Sequence, residues 1–147
     1  MSYEQIWQKT LGKDEEVKYE FSIGNKYRRF VLIMWTIISV PLVFVFGLGV
    51  VTFLIALFVW YYMKVANAYA FTNKRVLVHT GWLSTKTVSI NYDKITDVTV
   101  RENFVDRVLT KSGMLFINTA GTTGQEVALK HIDTPYEVKK KLDELRD

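Results

Sequence analysis

A membrane α-helical hairpin leading into an all-β barrel or sandwich, capped by one C-terminal α-helix, is the fold class that this sequence predicts. Three observations predict it. Residues 30–63 contain no charged side chain. From residue 69 onward, apolar positions recur with the period of two of half-buried strands. From Thr134 the spacing becomes helical, behind a Thr-Pro start.

The 147 residues amount to about one domain. The net charge is +4 and 49% of the residues are hydrophobic, with much of that share gathered in the uncharged block. No cysteine is present, which excludes a disulfide framework, a thiolate nucleophile and a Cys-based metal site.

In chain order, residues 1–25 form an N-terminal amphipathic segment and strand. "YEQIWQKTL" places Tyr3, Ile6, Trp7 and Leu11 near helical spacing, suited to the surface of the β-module or to the lipid interface. "EVKYEFSI" alternates Val17, Tyr19, Phe21 and Ile23 against Lys18, Glu20 and Ser22. A lone strand needs a partner for its backbone, so it is expected to pair with an edge of the 69–131 sheet. The competing reading is an unattached tail.

Residues 26–66 are read as a transmembrane hairpin. The block lies behind Glu4, Asp14, Glu15, Glu16 and Glu20, which does not suit a signal peptide. An uncharged run above about 18 residues reads as membrane-spanning. As one straight helix it would be roughly 51 Å long, against a hydrocarbon core of about 30 Å. Two short helices fit better, with the turn at Gly47-Leu48-Gly49 and a proline kink at Pro41. Lys26, Arg28 and Arg29 stand at one end, Lys64, Lys74 and Arg75 at the other, and the turn carries no charge. The positive-inside rule then puts both termini in the cytoplasm, making a multi-pass protein of the cytoplasmic membrane. Tyr27 and the Trp60-Tyr61-Tyr62 run stand at the helix ends, where an aromatic belt belongs.

Residues 67–147 form the strand-rich module. Val76 and Val78 share one face after a Thr72-Asn73 turn, and His79-Thr80-Gly81 turns into the next strand. Val88, Ile90 and Tyr92 alternate with Thr87, Ser89 and Asn91, and "KITDVTVRE" continues with Val98 and Val100. "GMLFINT" and "QEVALKHI" follow, joined by a loop at residues 120–124, for about five or six strands in all. "TPYEVKKKLDELRD" then offers Thr134 as N-cap, Pro135 at the first helical position, Glu137 completing a capping box, and Val138, Leu142 and Leu145 as apolar stripe.

"YAFTNKRVLVHTGWL" at 69–83, "INYDKITDVTV" at 90–100, "DRVLTKSGMLFINTAG" at 106–121 and the final helix, in this order and spacing, resemble the bacterial pleckstrin-homology-like (PH-like) membrane proteins of the YdbS type. The resemblance covers about residues 30–146. It implies a curved, partly open β-barrel capped by the C-terminal helix, and it implies no known reaction.

Enzyme signatures were sought. His79 and His131 are the only histidines and stand at strand ends, where a packed or solvated ring is the simpler reading. Asp93, Asp97, Glu102 and Asp106 lack the spacing of a calcium loop and read as solvated turn carboxylates. Gly47-Leu48-Gly49 lacks the third glycine of a dinucleotide loop. No catalytic residue, cofactor or metal is assigned.

Two functional classes remain. The first is a membrane-anchored interaction or scaffold module that binds a membrane or cytoplasmic protein or peptide at the cytoplasmic face, by strand addition or in a pocket. The second is recognition of anionic lipid headgroups by Lys64, Lys74, Arg75 and Lys86, with Lys139, Lys140 and Lys141 as a further basic run. Residues 74–147 hold twelve basic and ten acidic side chains, a net of only +2, which favours the first class. The same interleaving speaks against nucleic acid.

Overall fold

The computed structural model describes residues 3–45, 47–120 and 126–146. Chain order is α1 (Glu4–Trp7), β1 (Val17–Phe21), α2 (Asn25–Leu42), α3 (Leu48–Val65), β2 (Asn67–Thr72), β3 (Arg75–Thr80), β4 (Lys86–Asn91), β5 (Ile95–Arg101), β6 (Ser112–Thr119), β7 (Glu126–Asp133) and α4 (Pro135–Arg146). A 3-10 turn at Tyr92–Lys94 joins β4 to β5, and a π-helical turn at Asp106–Thr110 precedes β6.

The strands form two antiparallel sheets, β1-β2-β3-β4 and β5-β6-β7. The module is therefore a sandwich. Among the described residues no ladder joins the two sheets, which touch at an isolated bridge from Ile23 to Ile132, so the barrel alternative is corrected in one respect: no closed barrel forms. The core lies between the sheets. Tyr69, Phe71, Val76, Val78 and Ile90 from one meet Val98, Leu115, Ile117, Leu129 and Ile132 from the other, and Val138 and Leu142 of α4 close one end. These are the inward positions of the alternating pattern.

β1 forms where the N-terminal alternation lies and pairs antiparallel with β2, with Phe21 opposite Tyr69. Its addition covers the edge of β2, and both faces of β2 are covered as well. Tyr69 and Phe71 point into the core, while Ala68 and Ala70, with Leu77, lie under Trp7. Small residues on that face leave room for the indole, so α1 packs on the sheet rather than in a lipid interface.

α2 and α3 run antiparallel as a hairpin inserted between the paired strands β1 and β2. Arg28 lies over the ring of Trp60, and Thr52 Oγ1 donates to Ser39 Oγ at 3.0 Å. Gly49 stands where an added Cβ would lie 2.4 Å from the Ser39 carbonyl oxygen, so only glycine allows this approach. Pro41 is the penultimate residue of α2 and ends the helix rather than kinking its middle. Among the described residues α3 alone is long and apolar enough to cross a membrane; α2 has the same length but starts with Lys26, Arg28 and Arg29.

α4 starts at Pro135 as expected, but the capping box is corrected. Thr134 has φ 46°, in the left-handed region, not the extended backbone of a capping residue. Its carbonyl accepts from Glu137 N and Val138 N. The loop expected at residues 120–124 lies, beyond Ala120, outside the described residues.

Candidate interaction site

The two ends of the sandwich differ. At one end stand the feet of α2 and α3. At the other is the β2–β3 turn. β2 leads away from α3 and β3 returns, with Asn67 opposite Thr80 and Phe71 opposite Val76. The strands span roughly 17–20 Å.

This register divides the basic residues that the sequence appears to group. Lys64, in the last turn of α3, and Lys86, opposite Thr80, are exposed at the helix end. Lys74 and Arg75 sit at the far turn. They do not share one headgroup-binding patch with Lys64 and Lys86, because a β-hairpin places its turn a full strand length from its feet.

Arg75 is also engaged. Its Nε and Nη2 donate to Glu15 Oε1 and Oε2, each at 2.8 Å, and Nη2 donates to the Thr10 carbonyl. Thr72 Oγ1 donates to Glu15 Oε1 and the Gly12 amide to Oε2. The Arg75 hydrogen bonds, above all, hold the Glu15 carboxyl down to about 2. Tyr92 donates to the Thr72 carbonyl at 2.6 Å, and burial, with Glu15 nearby, pushes its phenol up to about 12. Lys74 Nζ donates to the Lys13 carbonyl. This cluster ties the N-terminal segment to the sandwich. Lys141 lies 4.6 Å over the ring of Tyr19, so the lysine run of α4 in part packs on β1.

The helix-end aromatics divide as well. Tyr61 and Tyr62 are exposed on α3. Trp60 is half-buried beneath Arg28, and Tyr27 stacks on His131 with ring centroids 3.7 Å apart. Next to His131, at 3.4 Å, is Asp106, which is buried rather than the solvated carboxylate expected of it. Burial lowers the His131 imidazole below its ordinary range, against the opposing pull of Asp106. His79 is also packed, edge-on to Trp7 and 2.9 Å from Thr87 Oγ1, and burial lowers it likewise. Among the described residues no group of three or more His, Asp or Glu could hold a metal ion.

Among the described residues two surfaces stand out. β4 is an outer strand of its sheet: it pairs with β3 on one side, and among the described residues its other side has no ladder partner. A cleft of about 440 Å³ beside it is lined by Val88, Ile90, Lys94, Ala120 and Val127 among others. The second surface is apolar and lies at the helix end. Trp82 and Leu83, after β3, and Phe104, Val105, Val108 and Leu109, around the π-helical turn, are all exposed. Sequence reasoning missed these six. Trp82-Leu83 is too short to carry a period, Phe104, Val105, Val108 and Leu109 have helical spacing within a segment between strands, and only the fold brings the two groups to the same end.

The bacterial PH domain family matches residues 26–146. No curated protein sequence matches the chain. Several solved structures resemble it in fold, two of them as follows. A DUF1696 family protein with a pleckstrin-homology domain from Shewanella loihica PV-4 superposes with a TM-score of 0.53 at 13% identity, covering 100% of this chain and 99% of that one. A pleckstrin homology domain from Shewanella amazonensis SB2B gives 0.56 at 13% identity, covering 100% and 90%.

Proposed function

Because the chain belongs to the bacterial PH domain family, whose fold generally serves as a non-catalytic interaction module, we propose that it is a membrane-anchored adaptor. Its helical hairpin enters the cytoplasmic membrane. Its sandwich stays on the cytoplasmic side and receives an extended segment of a partner protein along β4.

The observation that carries the anchoring is the surface of the helix pair. Ile33, Ile37 and Val40 on α2 and Val50, Leu54 and Phe58 on α3 are each more than half exposed. Soluble surfaces rarely present apolar patches of that extent. At about 27 Å each, the helices approach the thickness of the hydrocarbon core. Lys26, Arg29 and Lys64 at their feet fit a cytoplasmic side. The partner reading rests on β4, whose outer edge offers backbone donors and acceptors for strand addition above a cleft lined by both polar and apolar side chains. Anionic-lipid recognition by Lys64, Lys74, Arg75 and Lys86 as one set lacks support, since the register separates them.

The cysteine-free sequence suits single-cysteine probes. In intact cells a membrane-impermeant thiol reagent should label Leu48→Cys but not Lys140→Cys. Labelling of Lys140→Cys would place the sandwich outside, and labelling of neither would sink the hairpin. A photo-crosslinking residue at Ser89, on β4, should trap a partner that one at Glu144 does not. Adducts at Glu144 alone would move the partner surface away from β4.

A further inference from the structure

We propose that the two apolar loops beside the helix feet, residues 82–83 and 104–109, insert into the headgroup–acyl boundary of the leaflet that the hairpin enters. They would form a collar that fixes how the sandwich sits on the membrane. This rests on the membrane reading of the hairpin.

The loops flank different helices. Gly81 N donates to the carbonyl of Ala66, the residue after α3, at 2.7 Å. Gly81 has φ 98°, and an added Cβ would lie 1.9 Å from the Ser84 carbonyl oxygen, so the turn requires glycine. That turn brings Trp82 against Phe58, with ring centroids 6.4 Å apart. Phe58 lies seven residues before the end of α3, about 10 Å along its axis. The indole therefore rises beside the apolar wall of the helix, at a depth where interfacial tryptophan is favoured. Leu83, next to it, is 91% exposed.

The second loop stands beside α2. Asp106 is 3.4 Å from His131, and His131 stacks on Tyr27 in the first turn of α2. The same π-helical turn presents Val108 and Leu109, and Phe104 just before it is 79% exposed. In water such side chains gain nothing from this arrangement. At a leaflet each buries apolar surface, and shallow insertion of about 5–10 Å is enough.

Charge fits the same occupant. Lys86 follows the first loop, and Arg107 and Lys111, both exposed, frame the second. Basic groups are drawn to an anionic surface. Apolar tips flanked by Lys86, Arg107 and Lys111, against Glu102 and the buried Asp106 as acidic neighbours, match a leaflet that is apolar within and anionic at its face. The apolar surface is continuous from Trp82 through Phe58 onto α3.

Nitroxide labels at single cysteines replacing Leu54, Leu83, Leu109 and Lys140 test this in the full-length protein, reconstituted in bilayers of phosphatidylcholine and phosphatidylglycerol. Leu54 is the membrane control and Lys140 the aqueous one. Relative accessibility to oxygen and to a water-soluble nickel complex gives depth. The expected result is Leu54 deep, Leu83 and Leu109 at the headgroup boundary, and Lys140 in water. With Leu54 deep but Leu83 and Leu109 as wet as Lys140, the collar is overturned and the hairpin stands. With Leu54 in water, both readings fall. Spin–spin coupling between Leu109 labels that persists at high lipid dilution would mean that a second copy covers the loop, and also overturns the proposal.

Discussion

Glu15 illustrates how much one side chain can hold. Its carboxylate is nearly inaccessible and accepts from Arg75, Thr72 and Gly12, which links the segment before β1 to the β2–β3 turn. Its pKa lies near 2 when folded, against 4.5 ordinarily. The unfolded chain thus takes up this proton first on acidification. The stabilisation is complete above about pH 4.5 and is lost as pH falls toward 2. Glu15→Gln should cost about 2 kcal/mol at neutral pH and flatten that acid limb in thermal melts. An unchanged limb would show that other carboxylates govern it. Thr134 makes the opposite case. Its left-handed backbone stores strain of about 1–3 kcal/mol for a β-branched residue. Thr134→Gly should therefore raise stability by about 1 kcal/mol, while Thr134→Ala should change little. A loss of about 1 kcal/mol on Thr134→Ala would restore the capping role.

Elements with a strong period were legible in the sequence, and spatial groupings were not. β1 could be read because one of its faces is apolar and a strand cannot remain unpaired. α4 could be read from Val138, Leu142 and Leu145, all of which pack on the core. Leu142→Ala should cost about 2–5 kcal/mol, measured by chemical denaturation in detergent, because the side chain is fully buried. A neutral result would mean that α4 does not close the core. The grouping of Lys64, Lys74, Arg75 and Lys86 failed for a physical reason: closeness along the chain says nothing about closeness across a strand length. Whether the sheets close into a barrel was equally hidden, since alternation marks a buried face but not the ladder it joins. At the helix pair, Gly49 lets Ser39 and Thr52 meet. Gly49→Leu should push α2 and α3 apart and abolish a disulfide engineered between cysteines at positions 39 and 52. Bridging at the wild-type rate would show that the contact tolerates bulk.

On the scale of the molecule, the hairpin is an excursion from an otherwise continuous sandwich. Ser22 donates to the carbonyl of Asn67 although the two lie 45 positions apart, so the chain leaves and re-enters at nearly one point. Replacing residues 26–64 with a short glycine-rich turn should yield a water-soluble sandwich with one cooperative melt. Failure to fold, seen as absent tertiary circular dichroism, would show that the helices support the core.

The position of that excursion also has a consequence for synthesis. β1 leaves the ribosome long before β2, and its ladder cannot close until both helices have been made and the second has brought the chain back. Loop closure over such a span is costly and slow, whereas β2, β3 and β4 can zip locally as they emerge. Completion of the first sheet is therefore coupled to delivery of the hairpin. A chain whose helices fail to return keeps β2 unpaired along one side, an exposed edge that quality-control proteases and chaperones can detect. Return of the β1–β2 connection to the sandwich thereby becomes a checkpoint for maturation of the domain.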